Sequence, residues 1–230
     1  MRILKLNPEN HADEVKFLLR SSLLFLLLIC SQPVYPQRFR GELTGGVAGS
    51  QISGDQLSGF NKAGVMAGLG IRTNLSPKME TGFKMMYFQK GSRKRLKNDE
   101  PDSSYYLLRL NYIEMPWTFS YRVRNHLMVE AGPSLGYLIN SYEEDENGEI
   151  FFRRPFYNFD LSITGSLVYE LGDGLNFLFS YWQSLLPVRA HESMGTFRLN
   201  KGQYSSVMSF SFVYVLKRRN PDSENADFNP

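Results

Sequence analysis

Residues 157–186 read YNFDLSITGSLVYELGDGLNFLFSYWQSLL, and the first half of this stretch alternates strictly between apolar and polar residues. A period of two predicts a β-strand with unlike faces. Gly172-Asp173-Gly174 then tolerates the positive φ angles of a tight reversal, and a second alternating strand follows. The stretch predicts a β-hairpin about 12 residues tall, enough to cross a bilayer with tilt. The first arm sets Phe159, Leu161, Ile163, Leu167 and Tyr169 against Asn158, Asp160, Ser162, Thr164 and Ser166.

The volume and polarity of the two faces indicate which one is inside. The apolar face carries Phe, Tyr, Leu and Ile at nearly every position, which is too much volume for the interior of a small barrel. The other face is mostly Ser, Thr, Asn and Gly, which suits a narrow lumen. Apolar residues outside and polar residues inside are the pattern of a transmembrane β-barrel. A soluble lipocalin-like ligand-binding barrel, with the faces reversed, is the alternative.

The amino terminus contains one continuous apolar run, residues 21–30 (SSLLFLLLIC). It follows Lys16 and Arg20 and is too short for a membrane-spanning helix of roughly 20 residues. This size and flanking are typical of a secretory signal peptide. We therefore expect a signal peptide over residues 1–31. A buried core helix and a lipoprotein acylated at Cys30 are the alternatives.

Composition argues against several classes of function. The 230-residue chain has a formal net charge of +3, which is too small to indicate nucleic-acid binding. We therefore expect no nucleic-acid partner. Cys30 is the only cysteine, so a chain without its leader has no disulfide. Asp145-x-Asn147-Gly148 faintly resembles a calcium loop, but the remaining ligand spacing is missing. We read it as a turn and expect no metal and no cofactor.

The alternation continues along the rest of the chain. On the fourth strand we place Tyr106, Leu108, Leu110 and Tyr112 on the lipid face and Arg109 and Asn111 on the lumen face. Pro116 cannot donate to the ladder, which predicts a bulge or register change there. Tyr204 is placed outward on the last strand. The predicted strands are 38–50, 62–73, 79–90, 105–121, 127–140, the two arms of the 157–186 hairpin, and 203–216.

The connections between these strands alternate between long and short. Outer-membrane barrels have an even number of strands, short periplasmic turns and long external loops. The sequence thus predicts an all-β protein, an eight-stranded antiparallel up-and-down transmembrane β-barrel over residues 38–217 in the bacterial outer membrane. Both termini are then periplasmic. The polar residues 218–230 are expected to form a disordered periplasmic tail.

Five segments support a family resemblance: 45–55 (GGVAGSQISGD), 62–70 (KAGVMAGLG), 87–92 (YFQKGS), 112–117 (YIEMPW) and 130–138 (EAGPSLGYL). They resemble, in the same order, the PorT-type outer-membrane β-barrel proteins of Bacteroidetes. The motifs are mainly structural glycines, basic residues at strand ends and a proline within a strand. The resemblance implies an outer-membrane location and, through the founding member, a link to type IX protein secretion. The tail beyond the last strand departs from the family pattern.

Charged residues are predicted to face the lumen on several strands. A buried charge must be paired or it is very costly, and an eight-stranded barrel is just wide enough for its own side chains. We expect a salt-bridged plug that fills the lumen, with Glu42, Arg72 and Glu80 pairing near the periplasmic end. An ion gate or proton path is the alternative. The predicted lumen network is Glu42, Arg72, Glu80, Lys84, Arg109, Glu130 and Asp160.

Two long loops of opposite charge form a second candidate site. They are expected to attract one another, to bridge lipopolysaccharide phosphates through divalent cations, or to dock an external or secretion-machinery partner. The charges are Arg93, Lys94, Arg95 and Lys97 in the second loop, and Glu143, Glu144, Asp145 and Glu146 in the third.

A catalytic role has one candidate cluster, His191-Glu192-Ser193. Adjacent residues rarely point at one substrate, and no oxyanion donor can be identified, so no catalytic residue is predicted. We predict a non-enzymatic outer-membrane β-barrel that acts in binding or assembly. Its partners are outer-membrane lipid, lipopolysaccharide, and a secretion-machinery or cell-surface protein. A small barrel enzyme acting on lipid A or phospholipid is the alternative.

Overall fold

The computed structural model describes residues 39–53, 59–94, 105–150, 154–190 and 202–216. The predicted signal peptide and the predicted tail lie outside these ranges. Across them, no helix is long and apolar enough to cross a membrane. The strands are β1 (Arg40–Ser53), β2 (Lys62–Ser76), β3 (Met79–Lys94), β4 (Tyr106–Arg124), β5 (Leu127–Asp145), β6 (Gly148–Glu149), β7 (Phe159–Gly172), β8 (Leu175–Ser184) and β9 (Tyr204–Val215).

Eight of these strands form a closed antiparallel barrel, and the two-residue β6 only extends the tip of β5. Each long strand pairs with the next one along the chain, and β1 pairs with β9 to close the sheet. The predicted eight-stranded up-and-down β-barrel is therefore confirmed. Two-residue turns at 77–78, 125–126 and 173–174 join strands at one end, which we call the turn end. The longer connections lie at the opposite end, the loop end.

Turn chemistry follows from the sequence of each reversal. Gly172, Asp173 and Gly174 all have positive φ, at 105°, 52° and 84°. This backbone conformation suits glycine, and it suits aspartate better than most other residues. In the third long connection Gly148 also has positive φ, at 108°, and pairs with Asp145. The Asn147 amide donates to Asp145 Oδ1 at 2.8 Å, so this segment is a turn, as predicted.

The faces of the barrel follow the alternation. The outward positions form an apolar belt, and aromatic residues such as Tyr121, Tyr169 and Tyr214 lie in it toward the turn end. The inward positions are mostly small or charged. A belt of exposed Phe, Leu, Ile and Val is the lipid-facing surface of a transmembrane barrel, which excludes the soluble lipocalin-like alternative. Exposed members include Leu43, Val47, Val65, Leu69, Phe83, Leu135, Ile163, Leu167, Phe210 and Phe212.

The predicted facing of β4 was wrong in its loop-end half. Leu108, Leu110 and Tyr112 are fully buried inside the barrel, and Arg109 is exposed on the outer wall. Even-numbered positions face inward along the whole strand, in step with Thr118 and Ser120. The prediction failed because it assumed that apolar side chains always face lipid. At the loop end the interior is apolar and the outer wall is polar.

The predicted register change at Pro116 was also wrong. The pairs Phe83↔Trp117 and Met86↔Glu114 keep one register on either side of it. The irregularity lies farther along, where Asn111↔Asn140 and Tyr112↔Leu138 leave Ile139 as an extra residue in β5. Pro133 stays in register with Ile163 of β7. The bulge in β5 shifts which side chains of its last residues turn inward.

Tyr204, predicted to face outward, is buried with 4% exposure. It begins β9 at the loop end. There the chain after β8 returns along β9, and Arg189 bridges Gln203. The start of β9 is therefore no longer an outer surface.

Candidate functional site

The first group of lumen charges, the turn-end network, is built around Arg72 of β2. Its guanidinium donates to three carboxylates from three other strands: Glu42 of β1, Glu80 of β3 and Glu130 of β5. Nη1 lies 3.1 Å from Glu80 Oε2, and Nη2 lies 3.1 Å from Glu130 Oε2. Arg72 and Glu42 are each only 2% exposed. Because β2 and β5 are not neighbours, the network links strands across the lumen.

Further side chains complete the charge balance of this network. Lys84 Nζ lies 3.7 Å from Glu42 Oε2 and 3.6 Å from Glu130 Oε1. Ser120 donates to Glu130 Oε2 at 2.8 Å. Arg40, at the rim, contacts Glu80 at 2.9 Å. Three cations therefore face three carboxylates, which is the balance that a desolvated site requires.

A second group, the Lys90 network, lies nearer the loop end. Lys90 Nζ is 2.9 Å from Asp160 Oδ2 and 2.5 Å from Glu114 Oε1. Ser134 donates to the other Glu114 oxygen at 2.6 Å. The ammonium also lies 4.9 Å from the centre of the Tyr112 ring. Of this group only Asp160 belongs to the predicted lumen network. Lys90 and Glu114 were missed, although each has the inward parity of its strand.

The loop end is closed by an apolar cluster, the loop-end plug. β1, β4 and the segments on either side of β7 and β8 contribute to it. The Tyr157 amide donates to the Val188 carbonyl at 2.8 Å, and the Val188 amide donates to the Gln203 carbonyl at 2.8 Å. These bonds hold the 156–157 and 187–189 segments across the opening. The plug consists of Ile52, Leu108, Leu110, Tyr112, Phe156 and Val188.

A buried ion pair sits beside the plug. Arg189 Nη1 lies 2.7 Å from Glu143 Oε2, and Arg189 Nε donates to Gln203 at 3.0 Å. The Arg189 guanidinium stacks 4.2 Å from the centre of the Phe156 ring. Tyr106 donates to Glu143 Oε1 at 2.6 Å. Glu143 was predicted as an external loop charge and is instead buried, because the Ile139 bulge turns it inward.

Between the two networks the lumen is filled by side chains. Phe88 and Trp182 pack edge to face, with ring centres 5.3 Å apart. A cavity lined by Thr44, Met66, Thr164 and Trp182, among others, has space for the centre of about one water molecule. Nothing larger than water fits there, as expected for a narrow barrel filled by its own side chains.

The predicted residues thus divide between several places. Glu42, Arg72, Glu80, Lys84 and Glu130 form the turn-end network, and Asp160 belongs to the Lys90 network. Arg109 belongs to neither, since it faces outward. Of the loop charges, Arg93, Lys94, Glu144 and Asp145 lie in strands and Glu146 in a turn, whereas Arg95 and Lys97 fall outside the described residues. No group of three or more His, Cys, Asp or Glu in the described ranges could hold a metal ion.

Comparison with known families agrees with the closed barrel and its apolar belt. The family of outer membrane protein beta-barrel domains matches residues 31–189, well over half of the chain. This chain belongs to that family. It is therefore a protein of the bacterial outer membrane. No curated protein matches this outer-membrane barrel at a significant level of sequence similarity.

Solved structures include other small barrels of similar architecture. The attachment invasion locus protein Ail of Yersinia pestis, solved with the heparin analogue sucrose octasulfate, is 11% identical with a TM-score of 0.46. That alignment covers 78% of this outer-membrane barrel and 99% of Ail. Neisserial surface protein A is 10% identical with a TM-score of 0.49, over 76% of this chain and 97% of its own. At this similarity no ligand or activity transfers to the present barrel.

Proposed function

We propose that this outer-membrane barrel is a non-enzymatic binding or assembly component whose interaction surface is a tall ribbon at the loop end. The uneven height of the wall supports this proposal. β4 and β5 are 19 residues long, whereas β8 has 10 residues and β9 has 12. A barrel whose only role is to be inserted in the membrane does not require such a difference.

The ribbon begins where the belt ends. β5 last pairs with β7 at Tyr137↔Phe159, but its pairing with β4 continues to Tyr106↔Asp145. At about 3.4 Å per residue, the additional strand is roughly 25 Å long. β3 reaches the same height through Lys94↔Tyr106. A three-stranded sheet edge therefore stands above the lipid-facing wall on one side.

The top of this ribbon carries an ordered charge pattern. Glu144, Asp145 and Glu146 lie on the β5 side, and Arg93 and Lys94 lie on the β3 side, with β4 between them. Glu146 accepts from the Tyr105 amide at 3.0 Å, which fixes the tip. A rigid edge with both signs of charge supports selective protein recognition, because charge complementarity sets orientation and excludes wrong partners.

The lumen supports the same proposal. The Arg72 and Lys90 networks and the loop-end plug occupy it with paired charges and packed apolar side chains. A filled lumen leaves no path for a solute. The outer surface of the barrel is therefore a better candidate for function, as a binding site, than the lumen is as a channel. We further propose that the chain is a PorT-type member with a role in assembling protein-secretion machinery. The five glycine-rich and proline-containing segments between residues 45 and 138 support this relation, and so does the tall outer ribbon.

A capture experiment tests the proposal. The tagged full-length protein is solubilised in mild detergent, and its partners are identified by mass spectrometry. A discrete complex should be retained by the wild type and absent from the triple variant Glu144→Gln, Asp145→Asn, Glu146→Gln. Asp173→Asn, in a short turn at the opposite end, is the matched control and should retain it. Identical capture by all three proteins would contradict the proposal.

The rival class of function is tested in parallel. If the barrel modifies lipid A or phospholipid, lipid A from a deletion strain should differ in mass from that of the parent. An unchanged lipid profile together with a ribbon-dependent complex is the result expected here. A changed lipid A mass that the wild-type gene restores would favour the enzyme.

A further inference from the structure

The outer wall of β2, β3 and β4 changes character with height. Phe83 and Met85 are exposed apolar residues of the belt. Continuing toward the loop end, the outward positions of β3 and β4 become Tyr87, then Gln89 and Asn111. An amphipathic ring followed by amides marks the level where hydrocarbon gives way to lipid headgroups.

The polar side chains at this level are joined to one another. Tyr87 donates from its hydroxyl to Asn111 Oδ1 at 2.9 Å, and Gln89 Nε2 donates to the same oxygen at 3.2 Å. Lys62 Nζ, from β2, donates to Gln89 Oε1 at 3.2 Å. Lys62 is only 4% exposed, so its ammonium is buried at the edge of this ladder and does not itself face the lipid.

Two arginines lie next to this ladder. Arg109 pairs across the sheet with Gly91, and Arg93 pairs with Leu107, so the two outward side chains are diagonal neighbours on adjacent strands. Both lie close enough to Lys62 to act on its charge. Arg93 and Arg109 together form what we call the outer cationic patch, and the buried Lys62 adds positive charge beside it.

Glu144, opposite Leu107, is a diagonal neighbour of Arg109 on the outer face, but among the described residues no carboxylate lies within ion-pair distance of Arg93 or Arg109. Arg40, Arg72, Arg122 and Arg189 each contact a carboxylate. No described carboxylate pairs with Arg93 or Arg109, and the Arg93 Nε atom is buried without a hydrogen-bond acceptor. Neighbouring like charges repel, and a buried guanidinium N–H without an acceptor is unfavourable. The repulsion between the two neighbouring guanidinium groups favours an anion from outside the chain, and the buried Arg93 Nε is not the atom that would contact it.

The opposite wall provides an internal comparison. At the corresponding level of β8 and β9, Tyr181 donates to Gln183 at 3.0 Å and Ser206 donates to Gln183 at 2.8 Å. The tyrosine–amide arrangement is present there, but the two outward arginines are not. The cationic patch is therefore a local feature of β3 and β4 and not a general property of the rim.

We propose that the outer cationic patch is a binding site for a phosphate group of lipid A. Arg109, opposite Gly91, and Arg93 lie two and four residues beyond Gln89 along β3, above the lipid-facing belt, where an outer-leaflet glycolipid presents its phosphates. Guanidinium groups bind phosphate through paired, charge-assisted hydrogen bonds, and Gln89 and Asn111 can contact the adjoining sugar. The identity of the lipid rests on the proposed external position of the loop end.

Binding is measured on the purified full-length protein in a zwitterionic detergent by native mass spectrometry with diphosphoryl lipid A. The test variant is Arg93→Gln with Arg109→Gln. We expect its affinity to fall about tenfold or more for each charge-assisted hydrogen bond that the substitutions remove. Arg154→Gln, an exposed cation outside β2–β4, and Arg124→Gln, at the turn end, are the matched controls and should bind as the wild type does.

Three further arms identify the ligand. Monophosphoryl lipid A should bind less tightly than the diphosphoryl form, and phosphatidylglycerol and inorganic phosphate should compete poorly. Binding should persist in EDTA, which separates direct contact from a divalent-cation bridge to the acidic loop. Arg93→Lys with Arg109→Lys should recover part of the affinity.

Several outcomes would overturn the proposal. Wild-type-like binding by the double glutamine variant, or an equal fall in affinity for Arg154→Gln, would remove the role of the patch. If the wild-type protein bound phosphatidylglycerol as tightly as lipid A, lipid A would not be its specific ligand. This comparison uses only the wild type, so it is decisive even if the variants fail to fold. Heat-dependent gel mobility checks folding. The ribbon-capture experiment uses other residues, so its result stands separately.

Discussion

The two ends of the lumen bury charge in different ways. At the turn end, Arg72 is shared by carboxylates from β1, β3 and β5, all of them on regular strands. At the loop end, Arg189 lies outside the long strands, and its partner Glu143 follows a bulge in β5. The turn-end network is set by strand register, whereas the loop-end pair depends on segments folded back into the opening. Breaking the turn-end network should therefore lower the stability of the whole barrel, whereas breaking the loop-end pair should destabilise only the segments beside it.

The largest effect is expected from Arg72→Ala. Removing the guanidinium leaves Glu42, Glu80 and Glu130 with Lys84 as the remaining buried cation, and breaking such a network costs about 3–5 kcal/mol. The measurement is the free energy of unfolding in lipid vesicles, from urea titration. Arg122→Ala breaks an exposed rim pair with Glu170 and should cost less than about 1 kcal/mol.

The same Arg72 variant tests the ion-gate alternative. The Lys90 network and the loop-end plug remain in place, so no conductance should appear in planar bilayers. Single channels that open while the free energy of unfolding stays unchanged would support a gate rather than a structural role.

The next largest effect concerns the loop-end half of β4. Leu108→Ala opens a hole in the plug and should cost about 3 kcal/mol of stability. Arg109→Ala, one residue away on the outer wall, should stay within about 0.5 kcal/mol. The same urea titration measures both variants. A larger cost for Arg109→Ala would restore the lumen position expected from the sequence.

A smaller and more local effect is expected from Arg189→Ala. Glu143 then keeps the Tyr106 hydroxyl but loses its contact with the Arg189 guanidinium, at a cost of about 1–3 kcal/mol. Hydrogen exchange should quicken at the amides of Tyr157, Val188 and Gln203 and remain slow at the Arg72 end. Arg154→Ala serves as the exposed control. Faster exchange along the whole barrel would mean that the two ends are a single cooperative unit.

The last prediction concerns substitutions that should hardly change stability. It tests which end of the barrel faces the outside of the cell. If the predicted signal peptide is removed together with Cys30, a single introduced thiol is the only one present. Asp145→Cys at the ribbon tip should react with a membrane-impermeant maleimide on intact cells. Ser76→Cys and Asp173→Cys, at the turn end, should react only after the outer membrane is broken. The reverse pattern would place the ribbon in the periplasm.

The structure shows how far each inference from sequence extends. Three features can be predicted from the sequence alone. They are the hairpin of β7 and β8, the alternation of loop lengths, and the inward parity of Arg72 and Glu130. Glu114 shares the parity that the sequence placed on the lipid face of β4, whereas Lys90 shares the parity of Glu80 and Lys84 and was accessible to the same reasoning. Arg109 and Glu143 were not, because their positions depend on where the lipid boundary falls and on a bulge beside Ile139.

The sequence by itself determined the strand number, the closed antiparallel order and the face that meets lipid across the belt. These properties repeat every two residues and depend only on local pattern and turn chemistry. Tertiary structure decided the rest. The loop-end plug, the Arg189–Glu143 pair and the outer cationic patch each join residues from distant segments at a height where the surroundings on both faces change. At that height Leu108 and Leu110 turn inward and Arg109 turns outward, while Glu143 turns inward, where Arg189 pairs with it. The polarity of a position there depends on its surroundings at that height and not on which face of the strand it occupies.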